Sequence, residues 1–264
     1  MLPPIEIFGK EITGYGIAVA VGVLVCAFYL MHQAKRLYKT DGDILLITAV
    51  AAVGALLGSH LLYGIVSLIT YGGFPIITSF NGFLRFMVDF FGGSVFFGGL
   101  IGGSVAAFIA LRAVKLPWYP AVDLLSTTVP LFHFFGRVGC FLGGCCFGIP
   151  SEFGFTFRHS VVEAANGVNR FPVQLLEASF NLALFFALFA LFKREKLRGR
   201  LFFIYLICYS PARFFLEFLR GDSYRGVTQV GLSTSQIVAM FTLVIGIFGL
   251  LFYKNQLKET DTNG

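Results

Sequence analysis

The stretch HFFGRVGCFLGGCCFG, His133 to Gly148, decides what kind of protein this is. It closes an apolar run on Arg137, then sets Gly139, Gly143, Gly144 and Gly148 among Cys140, Cys145 and Cys146. An arginine at membrane depth is unfavourable, so by default it faces protein or water and marks a functional site. Its planar, permanently charged guanidinium is suited to holding something negative.

The rest of the chain supplies the membrane. Of its 264 residues 56% are hydrophobic and only 13% charged, against about 25% charged in a soluble domain. Apolar windows recur at about 13–31, 44–68, 91–111, 119–136, 172–192, 201–219 and 232–253, each near the length needed to cross a hydrocarbon core of about 30 Å. The expectation is an all-α polytopic membrane protein with about seven transmembrane helices, forming a single integral-membrane domain over 1–264. In lipid the alternative is a closed barrel, whose alternating segments of about 10 residues are missing here.

Two segments do not fit as spans. Residues 71–90 carry Pro75, Arg85 and Asp89 and read as an outer interfacial loop or a short amphipathic helix. Residues 147–171 hold Glu152, Arg158, His159 and Glu163 among turn residues and aromatics, and read as a small extended cap. His159 reads as an ordinary surface residue. With alternating helices, Lys35, Arg36, Lys39, Arg112, Lys115, Lys193, Arg194, Lys196, Arg198, Arg200, Lys254 and Lys258 all fall on one side. The positive-inside rule makes that side cytoplasmic, with the N-terminus outside, the C-terminus inside and both insertions extracytoplasmic. Topology thus accounts for the net charge of +6, and no nucleic-acid partner is expected. The first window follows Glu6 and Glu11 rather than a basic region and reads as a retained helix, not a signal peptide.

Cys26 and Cys208 lie in apolar windows as core residues. Cys140, Cys145 and Cys146 cluster on the outer side. Packing or thiol roles and a disulfide are open readings. A metal is a further one, with His133 about a turn and a half away, although four ligands and a CxxC pair are wanting. Neither a metal site nor a cofactor is assigned. In the sixth window Arg213, Glu217 and Arg220 are spaced i, i+4, i+7, which puts them on one helical face. Glu217 can pair with either arginine, leaving positive charge over; the readings are a structural ion network or an anion site for phosphate oxygens. The run GGSVFFGGLIGG, residues 92–103, opens the third window with small residues suited to close helix packing. Gly98 and Gly99 are the candidates for close approach to a ligand.

These residues, over nearly the whole chain, resemble the prolipoprotein diacylglyceryl transferase family. Residues 136–148 match its signature, usually GRxGNFxNGExxG; 170–177, RFPVQLLE, resembles its RHPSQLYE segment; 213–222 matches its RFxxExxR element. The glycine-rich 92–103 and the GYG at 14–16 also correspond. The family's asparagines become Cys140 and Gly143, its glutamate Cys145, its third-helix histidine Phe97, and a further histidine Phe171. The resemblance implies transfer of diacylglyceryl from phosphatidylglycerol to the lipobox cysteine thiol of a prolipoprotein signal peptide, in a bacterial plasma membrane. Glycerol phosphate leaves and a thioether forms. On that basis Arg137, Arg213 and Glu217 are expected to be catalytic. Tyr15, Gly98, Gly99, Cys140, Gly148 and Arg220 are expected to bind substrate beside Arg137. Glu217, His133 and Tyr15 are the candidates for the base. The alternatives are a divergent paralogue using the same lipid site for another acceptor or reaction, and a lipid-binding or transport protein without chemistry. Seven windows without half-to-half similarity argue against a transporter.

Overall fold

The computed structural model describes residues 5–7, 10–38, 42–70, 79–91, 96–116, 118–160, 162–194, 197–222 and 231–262. A hairpin of β1 (Ile5–Ile7) and β2 (Lys10–Ile12) precedes α1 (Gly14–Tyr38), α2 (Gly42–Thr70), α3 (Phe80–Phe91), α4 (Phe96–Val114) and α5 (Trp118–Gly143). Strands β3 (Pro150–Thr156) and β4 (Asn169–Arg170) pair antiparallel before α6 (Val173–Phe192), α7 (Leu201–Leu216) and α8 (Thr234–Thr262). This is an all-α, multi-pass membrane protein with a small β cap over 147–171.

Among the described residues, five helices are long and apolar enough to cross a membrane: α1, α2, α6, α7 with the turn after it, and α8. Helices α4 and α5 correspond to the other two expected windows. Helix α4 has 19 residues, and its described stretch Ile101–Val114 is apolar. Helix α5 has 26 residues; the polar Asp123, Ser126, Thr127 and Thr128 in its first half are all buried. The outward faces carry large apolar side chains: Leu24, Phe28 and Phe241 are each 70% exposed, as suits surfaces whose solvent is lipid. Helix α3 forms the short amphipathic helix expected within 71–90, with no buried residue; 71–78 lie outside the described residues.

The chain divides into two compact units, one of residues 1–29 and 122–264, the other of 30–121. In the second, α2 and α4 pack through glycines spaced by four. A Cβ on Gly58 would stand 2.3 Å from the Gly98 carbonyl oxygen and 2.9 Å from the Gly102 Cα. One on Gly98 would stand 2.2 Å from the Gly58 oxygen. Such backbone-to-backbone contact is how helices associate where no hydrophobic force drives them together. Gly58→Ala should therefore force the helices apart and lower stability by about 1–3 kcal/mol. Gly42→Ala, with no atom near the added methyl, is the control. The melting temperatures of both variants in detergent check this; equal values would remove the packing role.

In the first unit, Gly22 of α1 receives the Phe135 ring of α5, and Tyr29 meets Phe185 and Phe189 of α6 edge-on at 5.3 and 5.9 Å. Gly246 and Gly249 of α8 seat Ile207 and Phe203 of α7. Buried Asp123 at the start of α5 accepts hydrogen bonds from the N–H groups of Gly199 at 2.5 Å and Leu201 at 3.0 Å. Leu201 is the first residue of α7 and Gly199 lies just before its N-cap, so Asp123 satisfies one unpaired donor of that helix and fixes the turn leading into it.

Candidate active site

Helix α5 does not stop at 136 as the apolar window suggested. It continues through the signature to Gly143, so Arg137 sits inside a helix. The continuation is possible because Gly139 and Gly143 leave room for α1: a Cβ there would stand 3.1 Å from Tyr15 Cδ2 and 3.3 Å from Tyr15 Cβ. Tyr15 is thereby laid along the signature helix, within electrostatic reach of Arg137 and the three cysteines.

Arg137 Nε contacts Glu177 Oε1 at 3.1 Å, and the Tyr209 hydroxyl donates to the same oxygen at 2.8 Å. The Glu177 side chain is 2% exposed, that of Arg137 20%. A carboxylate on α6 and a phenol on α7 thus fix a guanidinium on α5. Among the described residues Glu177 is the one ion-pair partner of Arg137, and it takes the inner Nε. The terminal Nη groups carry the remaining donors of a planar fork, a shape that suits phosphate. Glu177 and Tyr209 were missed as site residues from sequence. The available signal was a lone carboxylate in the second turn of an apolar window, where an unpaired charge would be intolerable.

Of the two arginines that could pair with Glu217, Arg213 does so. Arg213 Nη2 contacts Glu217 Oε2 at 2.7 Å and donates to Ser235 Oγ of α8 at 3.0 Å. Helix α7 ends at Leu216, a 3-10 turn covers 217–219, and Arg220 is extended at φ −80°, ψ 132°. The i, i+7 relation therefore fails, because the helix that would carry it has ended. Arg220 instead forms a bidentate pair with Asp222 at 2.7 and 2.6 Å. Burial works against the Arg220 charge, but that pair more than offsets it, and Arg220 titrates above the ordinary arginine range. The three arginines are thus held by three different carboxylates. Glu217 is buried and paired with Arg213.

Gly148 belongs to a close backbone junction. It bridges Arg220, and a Cβ on it would stand 2.2 Å from the Phe171 carbonyl oxygen. Arg170, buried against the Phe147 ring at 4.2 Å, donates to the carbonyls of Gly148 at 3.3 Å and Ala164 at 2.7 Å. It ties the cap to the segment after the signature. Gly98 packs closely against α2, and a Cβ on Gly99 would stand 3.3 Å from the Ala55 carbonyl oxygen in the second unit. The side chain of Phe97 lies outside the described residues.

The three cysteines converge. The Sγ atoms of Cys140, Cys145 and Cys146 all lie within 4.8 Å of one another, all partly buried, and none is in a disulfide. His133 does not join them; its Nδ1 is 3.4 Å from the Tyr205 hydroxyl, and its ring lies 5.3 Å from that of Tyr209. Hydrogen bonds from the Cys140 and Cys145 thiols, then the Arg220 and Arg137 charges, hold the Cys146 thiol below the usual range, while the same coupling pushes Cys145 up. Arg137, Arg220, Tyr15 and the thiols therefore form one constellation, with Arg213 near Tyr209 and Glu217 paired with Arg213.

A family model for prolipoprotein diacylglyceryl transferase matches residues 4–252. The chain belongs to this family. Its relatives include a phosphatidylglycerol–prolipoprotein diacylglyceryl transferase of Clostridium tetani, 34% identical over 245 residues, covering 92% of this chain and 94% of the relative. One of Clostridium perfringens, carrying the number 2, is 35% identical over 266 residues, covering 98% and 97%. One of a Wolbachia of Brugia malayi is 30% identical over 255 residues, covering 93% and 92%. In this prolipoprotein diacylglyceryl transferase family member, Arg137, Glu177, Arg213, Glu217 and Arg220 occupy the motif positions that the sequence shares with the family pattern, and the cysteines occupy those where it departs.

Proposed function

We propose that this protein transfers the diacylglyceryl group of phosphatidylglycerol to the thiol of a prolipoprotein's lipobox cysteine, releasing glycerol phosphate and leaving a thioether. The observation that carries this reading is the Arg137–Glu177–Tyr209 arrangement, which presents a fixed guanidinium fork within the family signature. In the reaction the sulfur attacks a glyceryl carbon, the C–O bond to phosphate breaks, and charge grows on the departing phosphate. Arg137 stabilises that charge and Arg213 assists, without a proton transfer, since arginine does not deprotonate. Tyr15 and Cys140 lie beside the fork, where the acceptor peptide enters, and Arg220 adds positive field through Cys146. The test is to give purified protein phosphatidylglycerol vesicles and a lipobox peptide and follow the peptide mass. A diacylglyceryl gain on the cysteine is expected. Binding of phosphatidylglycerol without any gain would favour a paralogue with another acceptor, a reading to which the cysteines in the signature lend weight.

The site then lies on the outer side of a bacterial plasma membrane, with the N-terminus outside and the C-terminus cytoplasmic. A cysteine introduced by Lys196→Cys, in a chain whose native cysteines are serine, should react with an impermeant maleimide only after cells are permeabilised. Labelling of intact cells would reverse the orientation.

A further inference from the structure

The implied reaction alkylates a thiol, and the acceptor must be a thiolate to react. Among the described side chains, the carboxylates beside Arg137 and Arg213 are committed to those arginines and His133 is turned to Tyr205. What stands beside Arg137 instead is three thiols. We propose that Cys140, Cys145 and Cys146 bind one Zn2+ whose fourth position takes the lipobox thiol and holds it as the thiolate. This inference rests on the transferase reading above.

The requirement of four protein ligands that weighed against a metal applies to structural zinc; catalytic zinc has three protein ligands and an open position. Thiolates at a zinc–sulfur distance of about 2.3 Å around a tetrahedral centre stand about 3.8 Å apart. The observed sulfurs lie within 4.8 Å, so side-chain rotation of about 1 Å closes the set. The backbone holding them is already fixed. The Cys145 N–H donates to the Cys140 carbonyl at 3.1 Å, Gln174 Nε2 donates to the Cys145 carbonyl at 2.9 Å, and Ser160 Oγ to the Gly144 carbonyl at 2.8 Å. Cys146 itself is held at φ +56°, a left-handed conformation that costs a non-glycine residue about 1–3 kcal/mol and is found at ligand clamps. Three thiolates and Zn2+ carry one net negative charge, and the Arg137 and Arg220 guanidiniums lie within reach to offset it. Soft thiolate ligands select zinc over the hard cations.

The step balances without an oxidant. The incoming thiol loses its proton to water on coordination, as a thiol bound to zinc does. Its sulfur electron pair then forms the C–S bond, the C–O bond breaks, and that pair leaves on glycerol phosphate beside Arg137. The zinc and its three cysteines return unchanged.

The test uses the full-length protein, reduced, stripped with chelator and reloaded with Zn2+ or Co2+. One metal per chain is expected, with the tetrahedral thiolate spectrum for Co2+. That spectrum should gain a fourth thiolate on adding lipobox peptide but not its Cys→Ser form. The Cys140→Ser/Cys145→Ser/Cys146→Ser variant should bind none, and single Cys140→Ser and Cys146→Ser variants should show the same direction if the triple variant does not fold. Stripping should slow transfer at pH 7 by at least about 30-fold, the reciprocal of the thiolate fraction of a free thiol of pKa about 8.5. The zinc form should show a flat rate between about pH 6 and 8, and the residual metal-free rate should climb about tenfold per unit. Failure to retain metal at micromolar concentration, a native disulfide among the three with no uptake after reduction, or unchanged transfer by stripped protein would overturn the inference while leaving the transferase reading standing. A four-thiolate cobalt spectrum with no transfer by the zinc form would keep the metal site and sink the transferase reading.

Discussion

Arg137→Ala is expected to lower diacylglyceryl transfer by about 10²–10³-fold, the loss typical of one electrostatic donor at a dry site. Arg137→Lys should not rescue it. Lysine restores the charge, but its single ammonium cannot contact Glu177 at the depth of Nε and offer a two-pronged face to phosphate at once. Because the interaction strengthens as the phosphate departs, the fall should appear in kcat as well as kcat/KM. Mass spectrometry of the lipobox peptide with both variants decides it. Normal transfer by Arg137→Ala would remove Arg137 from the mechanism and leave the family assignment untouched.

Glu177→Gln should be nearly as damaging, and it should also destabilise the protein. The variant keeps an acceptor for Tyr209 but leaves Arg137 without its counter-charge in a largely buried setting. Breaking such a pair costs on the order of 3–5 kcal/mol at a fully buried site, less here because Arg137 keeps 20% exposure. Transfer should fall by about 10²-fold, because the guanidinium loses the partner that aims it. A double replacement separates fold from function. Arg137→Met with Glu177→Leu removes both charges, so stability measured in detergent should recover toward that of the parent chain, while transfer stays absent. Recovery of transfer in that chain would show that neither residue serves the chemistry.

The bilayer's demands are written locally, and so the all-α membrane class was legible from composition and from the length of the apolar windows. That 147–171 and 71–90 would not be spans was legible for the same reason, as polar stretches too broken to cross; the first holds paired strands and the second most of helix α3. Span boundaries were less so. Arg137 looked like a helix end because charge normally marks one, yet α5 runs on to Gly143 because α1 packs against its glycines. Arg220 looked like a continuation of the Arg213 face because the spacing fits a helix that in fact gives way to a 3-10 turn at 217.

By itself, then, the sequence determined the family and the membrane architecture and singled out Arg137, each of which depends on residue type and order along the chain. Which carboxylate serves which arginine was decided only by tertiary structure. Glu177 is 40 residues from Arg137, and Tyr209 lies 32 beyond Glu177, so no periodicity along one element relates them. Their meeting at 3.1 and 2.8 Å depends on how α5, α6 and α7 pack. The same holds for the cysteines. Their positions are plain in the sequence, but their convergence within 4.8 Å requires the left-handed turns at Gly144 and Cys146 after the helix ends. Those turns are held by Gln174 and Ser160, which come from later in the chain.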